Sequence, residues 1–167
     1  ALFHATAPVT YNGNYYRLDE APLSPGSFGA PIPIMVGGTG PKRTLKTLAM
    51  FGDVFNLDGW AGGPMTKEFL DKKWGILERH CEAVGRDPAE IRKTILVPSL
   101  VSVDKDACAA MIKSRRLGEG AAIGPKSYVI DRLGEIVDAG VDEIMIGGLN
   151  SETPELYQHY ENDVLSA

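Results

Sequence analysis

The sequence predicts an α/β fold in which about four βα units follow a β-hairpin. Three observations predict it. Short apolar runs recur at Ile34-Met35-Val36, Val54-Phe55-Asn56-Leu57, Thr94-Ile95-Leu96-Val97 and Glu143-Ile144-Met145-Ile146. Each is followed by a stretch with apolar residues at helical spacing. Glycines and polar turn formers mark the junctions. Continuous apolar strands that alternate with amphipathic helices need a parallel sheet covered by helices. The 167 residues, 44% hydrophobic and 23% charged, suit one globular domain with a real core. Within it, residues 1–33 read as hairpin and linker, and residues 34–167 as the βα units.

The hairpin is expected from Val9-Thr10-Tyr11-Asn12-Gly13-Asn14-Tyr15-Tyr16-Arg17-Leu18, where Asn-Gly separates two arms rich in Val, Thr and Tyr. Residues 21–33 shift to Pro, Gly and Ser without a periodic apolar face, so they read as an extended linker. The first βα unit is Ile34-Met35-Val36, then Gly37-Gly38-Thr39-Gly40, then a helix beginning near Pro41, where a missing N–H costs nothing. In the second, Val54-Phe55-Asn56-Leu57 leads through Asp58-Gly59-Trp60 into a helix over 64–84. Its residues Leu70, Trp74, Leu77, Cys81 and Val84 form one stripe, and Gly85 supplies the left-handed exit. Asp87-Pro88-Ala89-Glu90 predicts a capped helical turn.

The third strand spans 94–101, with a break or bulge expected at Pro98, which lacks a ladder donor. A helix over 105–117 follows. Residues 118–125 read as a loop before a helix whose apolar face is Val129, Ile130, Leu133, Ile136 and Val137, ended by Ala139-Gly140. The last strand closes with Gly147-Gly148, and a helix over 154–165 finishes the chain. Four such units fit either a small open doubly wound sheet or half of an eight-stranded barrel; in both, ligands collect at the carboxyl ends of the strands.

A formal charge of -5 argues against a nucleic-acid partner. The basic run Lys113-Ser114-Arg115-Arg116 suits a helix carboxyl end. Cys81 and Cys108 stand apart with no CxxC pair, and His4, His80 and His159 show no metal-ligand spacing, so neither disulfide nor metal is expected. No apolar run approaches the roughly 20 residues of a membrane helix. The expectation is a soluble, cytoplasmic protein acting on small molecules. The opening Ala1-Leu2-Phe3-His4-Ala5 reads as the tail of an element begun upstream, which suggests a fragment.

A strand running into Gly37-Gly38-Thr39-Gly40 and then into a helix has the form of an anion site. Glycines let backbone approach the anion, and free N–H groups at the positive helix end face it. Thr39 and Thr44 add hydroxyls, and Lys42 and Arg43 add charge. The loop lacks the Lys-Ser/Thr ending of a P-loop and the spacing of GxGxxG, and the same glycines would also serve a plain tight turn. Asn56, Asp58 and Trp60 follow the next strand, within reach of the same ligand. Gly147-Gly148 is a second phosphate candidate, but no helix starts directly after it. No Ser-His-Asp, Cys-His or paired-carboxylate arrangement can be assembled, so catalytic residues are unassigned.

Several segments carry a more specific likeness. Pro31-Ile32-Pro33-Ile34-Met35-Val36-Gly37-Gly38-Thr39-Gly40-Pro41-Lys42-Arg43-Thr44-Leu45 followed by Phe51-Gly52-Asp53-Val54-Phe55-Asn56 resembles the luciferase-like monooxygenase superfamily, particularly its branch of oxidoreductases dependent on coenzyme F420, a deazaflavin. Gly85-Arg86-Asp87-Pro88-Ala89-Glu90-Ile91, Ile123-Gly124-Pro125, Ala139-Gly140-Val141-Asp142-Glu143 and the hairpin Tyr11-Asn12-Gly13-Asn14-Tyr15-Tyr16 agree in order. The likeness spans nearly the whole chain. It implies the C-terminal half of a (β/α)₈ TIM barrel, strands five to eight. It also implies a cofactor, F420 or FMN, held by Gly37, Gly38, Thr39 and Gly40 with Asn56 nearby, a set to which the charge at the loop's mouth adds Lys42.

Three readings of function follow. The first is hydride transfer between reduced deazaflavin and a small organic substrate; the second is an FMN-dependent monooxygenase of the same barrel. The third is a non-catalytic half-barrel assembly unit. Open strand edges would favour a homo-oligomer such as a dimer.

Overall fold

The computed structural model describes residues 2, 5–25, 30–60, 63–147, 158 and 160–166. The chain divides into two compact units, Ala1–Ile34 and Met35–Ala167.

The first unit is a hairpin. Strands β1 (Val9–Asn12) and β2 (Arg17–Ala21) pair antiparallel, with Asn12 opposite Arg17 and an irregularity between Val9 and Tyr11. The connection is therefore the four residues 13–16 rather than a two-residue Asn-Gly turn, and the Gly13 N–H donates to Tyr16 O at 2.9 Å. The Tyr11 ring lies over Gly13, where a Cβ would stand 2.6 Å from it. Within the expected linker, residues 26–29 lie outside the described residues.

The second unit is built on a parallel sheet. Its strands are β3 (Met35–Gly37), β4 (Val54–Asp58), β5 (Arg92–Val101), β6 (Ala122–Gly124) and β7 (Glu143–Gly147). β4 lies between β3 and β5, and β7 pairs with β5 on its other edge, in the register Thr94 with Glu143 through Pro98 with Gly147. The helices are α1 (Thr44–Phe51), α2 (Lys67–Val84), α3 (Lys105–Arg115) and α4 (Lys126–Asp138).

Alternation along the strands decides between the two architectures. Val36, Phe55, Leu57, Ile95, Val97, Ile144 and Ile146 point to one face and pack with Leu45, Leu48, Leu70, Trp74, Leu77, Val129 and Ile136 from α1, α2 and α4. The opposite face carries Met35, Gly37, Asn56, Asp58, Thr94, Leu96 and Met145, and no described helix packs on it. A doubly wound sheet has helices on both faces, whereas a barrel keeps them all outside. The second unit is thus an α/β half barrel.

α2 begins at Lys67, because Thr66 Oγ1 accepts from the Phe69 N–H at 3.3 Å, and Gly85 ends it at φ 70°. Leu70, Trp74, Leu77 and Cys81 are buried, while Val84 at the end of the stripe is exposed. Phe55 meets Trp74 edge to face at 5.5 Å, and the indole N–H donates to Ala139 O at 2.8 Å. The Asp87 side chain accepts from the Ala89 N–H and caps the predicted turn, which is a 3₁₀ turn over Pro88–Glu90. Just before it, Arg86 donates to Gly52 O at 2.6 Å and, at 3.4 Å, to Leu48 O and Ala49 O, closing the carbonyl end of α1. Lys113 and Arg115 lie in the last turn of α3, where their charge suits the helix carboxyl end.

Some elements differ from expectation. α1 starts at Thr44, not Pro41, since Leu45 N–H reaches back to Gly40 O and residues 41–43 form a turn. Pro98 neither breaks nor bulges β5. The β4 ladder ends at Leu96 and the β6 ladder starts at Ser99, and Gly118 N–H binds Trp60 O where β4 ends. β4 and β6 therefore share one edge of β5 in succession, and the missing donor falls in the gap between them. Residues 118–125, expected as loop, contain β6. In α4 the exposed Val137 leaves the expected apolar face, and Arg132 is buried instead, donating to Pro64 O and Glu135. Of the last helix, 154–157 and 159 lie outside the described residues, and Glu161–Leu165 is a π-helical turn.

Candidate functional site

The glycine loop leaves the carboxyl end of β3 and is held from two sides. From the sheet, Gly37 pairs with Asn56, and the Gly38 N–H donates to Asn56 O at 3.1 Å. Gly38 has φ +114°, a conformation L side chains rarely adopt, so the turn off the strand needs glycine there. Gly40 needs glycine for a different reason: a Cβ would stand 2.7 Å from Thr44 Oγ1.

From the helix layer, Lys73 Nζ donates to Thr39 O at 2.8 Å, and His80 Nε2 bonds Pro41 O at 2.8 Å. A carbonyl only accepts, so this His80 nitrogen carries the proton. The peptides 39–40 and 41–42 are trans, which sets C=O and N–H on opposite sides. With both carbonyls turned to α2, the N–H groups of Gly40 and Lys42 face the other way. Among the described residues, the N–H groups of Thr39, Gly40, Lys42 and Arg43 have no partner. The first turn of α1 holds no acidic residue, and Lys42 and Arg43 are exposed beside it. Outward N–H groups, a helix start and two cations fit the phosphate of a nucleotide-like cofactor. Burial, and then the nearby Lys72 ammonium, lowers the Lys73 amine from its ordinary value.

Asn56 lies on the sheet face away from the helices. Its Oδ1 lies 3.0 Å from Thr94 Oγ1, a hydroxyl that also reaches Phe55 O at 3.2 Å, and Nδ2 has no partner among the described residues. Asp58 is used locally, its Oδ1 accepting from the Trp60 N–H at 2.8 Å. Trp60 packs with Leu117, Ala121 and Ile123, and a Cβ on Gly147 would stand 3.0 Å from its ring. These two residues read as an Asx turn under an aromatic that packs. Gly148, half of the second phosphate candidate, lies outside the described residues.

The structure therefore brings Gly37, Gly38, Thr39, Gly40, Lys42 and Asn56 to one end of the β3–β4 pair. Sequence reasoning did not find Lys73, His80 or Thr94. The two α2 residues lie 34 and 39 positions from their carbonyls, and no local spacing signals such a bond. Among the described residues, no group of three or more His, Cys, Asp or Glu could hold a metal ion, and no helix is long and apolar enough to cross a membrane.

A family model described as luciferase-like monooxygenase matches residues 1–118. The chain belongs to this family. Solved structures with the same fold include an F420-dependent secondary alcohol dehydrogenase in complex with an F420-acetone adduct, at 17% identity and TM-score 0.78. Another is the coenzyme F420 dependent tetrahydromethanopterin reductase from Methanopyrus kandleri, at 15% identity and TM-score 0.70. A third is the oxygenating constituent of 3,6-diketocamphane monooxygenase from Pseudomonas putida in complex with FMN, at 10% identity and TM-score 0.56. They cover 99%, 96% and 94% of this chain, which spans 57%, 58% and 57% of theirs. At such identities the likeness is one of fold. A comparison with curated protein sequences finds no match. As a member of the luciferase-like monooxygenase family, the chain supplies about half of the barrel these structures complete.

Proposed function

We propose that this chain provides the phosphate-binding half of an oxidoreductase that uses coenzyme F420 to transfer hydride to or from a small organic substrate. The observation that carries the reading is the pair of outward N–H groups of Gly40 and Lys42 at the carboxyl end of the sheet. Gly37 and Gly38 bring the backbone off the strand, Thr39 and Lys42 add a hydroxyl and a charge, and Asn56 Nδ2 offers a donor on the inner face. The bound deazaflavin supplies the hydride chemistry, and the chain's residues bind and orient it. No residue is given a catalytic role. The family and the two F420-dependent enzymes of the same fold support this reading.

A second reading, an FMN-dependent monooxygenase, is favoured by the FMN-bound member of the same fold. In both, the bare sheet face with Met35, Leu96 and Met145 is covered in the whole protein by further barrel strands, and assembly as a homo-oligomer accompanies it. A fluorescence titration against deazaflavin and FMN in parallel tests the proposal. Saturable deazaflavin binding supports the first reading; FMN binding alone replaces it with the second. Binding of neither would leave a half-barrel assembly unit.

A further inference from the structure

We infer that Lys73 and His80 of α2 are positioning residues that aim the N–H groups of the anion loop; the inference rests on the loop being the phosphate site proposed above. A phosphate attracts N–H groups and repels carbonyl oxygens, so the loop functions only with its peptides turned one way. Two peptides are at stake. For 39–40, the rotation that would swap carbonyl and N–H runs through Gly40, which takes either sign of φ at no steric cost. The residue that lets the backbone come close to an anion also lets its peptide flip.

Lys73 opposes that flip, since its Nζ holds Thr39 O at 2.8 Å. The ammonium is itself held, 5.0 Å above the Phe69 ring. For 41–42, His80 holds Pro41 O at 2.8 Å, about two turns further along the same face of α2. The sheet fixes only the root of the loop, through Gly38 N–H and Asn56 O. The two outward donors are therefore set from behind, by side chains that never touch the ligand.

The experiment is a titration of the ¹⁵N-labelled chain with inorganic phosphate, read at the Gly40 and Lys42 amides. In the parent both resonances move and saturate. Lys73→Met shifts the Gly40 amide before any ligand is added and weakens phosphate binding about tenfold, the worth of one lost hydrogen bond. His80→Phe does the same at Lys42 and leaves Gly40 unmoved. Lys73→Arg restores a donor and brings binding back toward the parent. This residue-by-residue address is what general loss of packing would not produce. His80 is half-buried rather than part of the core, so its variant keeps the test decisive even where Lys73→Met fails to fold. Parent-like affinity with unmoved amides in both variants overturns the inference and leaves the loop as the anion site. A parent that shows no movement at Gly40 and Lys42 removes the site itself, and the inference with it.

Discussion

Replacing Gly38 by alanine separates the backbone shape of the loop from its charge. At φ +114° the residue sits where an L side chain is strained, yet the space is free: the added Cβ would meet Thr44 Cγ2 at 3.6 Å, an ordinary contact. The cost is therefore conformational, about 1–3 kcal/mol for one residue held in a sparsely populated region. Relaxing the dihedral would give up the Gly38 N–H bond to Asn56 O, itself worth about 0.5–1.5 kcal/mol. At about 2–4 °C per kcal/mol for a chain of this size, the melting temperature falls by about 2–12 °C by the first route and about 1–6 °C by the second. Phosphate affinity falls with it, while helix content stays near that of the parent. Gly37→Ala is the control. Its Cβ would meet only Asn56 O at 4.0 Å on extended backbone, so its effect stays within about 0.5 kcal/mol. Melts followed by circular dichroism, run beside a phosphate titration, measure both variants. Equal behaviour of the two would refute the argument that Gly38 is there for its dihedral.

Three further outcomes are expected. Trp74→Phe keeps a ring against Phe55 but leaves Ala139 O without the indole N–H, which costs about 1–3 kcal/mol in chemical denaturation. Gly147→Val drives a side chain into the Trp60 ring and to 3.1 Å from Leu96 Cδ1; overpacking of about 1–3 kcal/mol and a changed tryptophan emission are expected. Burial raises the Tyr160 phenol above its ordinary range, with the Ser99 hydrogen bond partly opposing. Its folded value lies above the unfolded one, so this stabilisation is complete below the usual tyrosine range and is lost as pH rises through it. Tyr160→Phe removes that alkaline slope, and parent and variant melts that stay parallel through that range would contradict it.

Legibility in the sequence followed the range of the interaction that makes each feature. The α2 stripe, the Gly85 exit and the Asp87 cap arise from residues within a turn or two of one another, and all three could be read directly. The glycine loop was legible because close approach and positive φ leave their mark on residue type. β6 was not: three residues just before Pro125 are too short for any period, and only the free end of β5 makes them a strand. The hairpin turn was misread because Asn12 pairs with Arg17 across four residues and Gly13 does not take the left-handed dihedral that a two-residue turn would require of it. The direction of the loop's N–H groups was invisible, since Lys73 and His80 reach it across more than thirty residues. Choosing half barrel over doubly wound sheet needed one fact absent from any local window, the shared side of the helices.

β5 serves three neighbours along its ten residues. Its first half is locked between β4 and β7 over the main core, and its last three residues pair with β6, whose Ala122 belongs to that same core while Ile123 joins Leu117 and Ala121 in a smaller cluster. α3, which covers this end, buries none of its residues. Amide exchange will therefore show two tiers, with α3 opening by itself while the strands, β6 among them, stay protected with the main core. Trp60 packs in the small cluster beneath α3, so each opening also loosens the loop after β4 and gives the carboxyl end of the sheet a local breathing motion independent of unfolding.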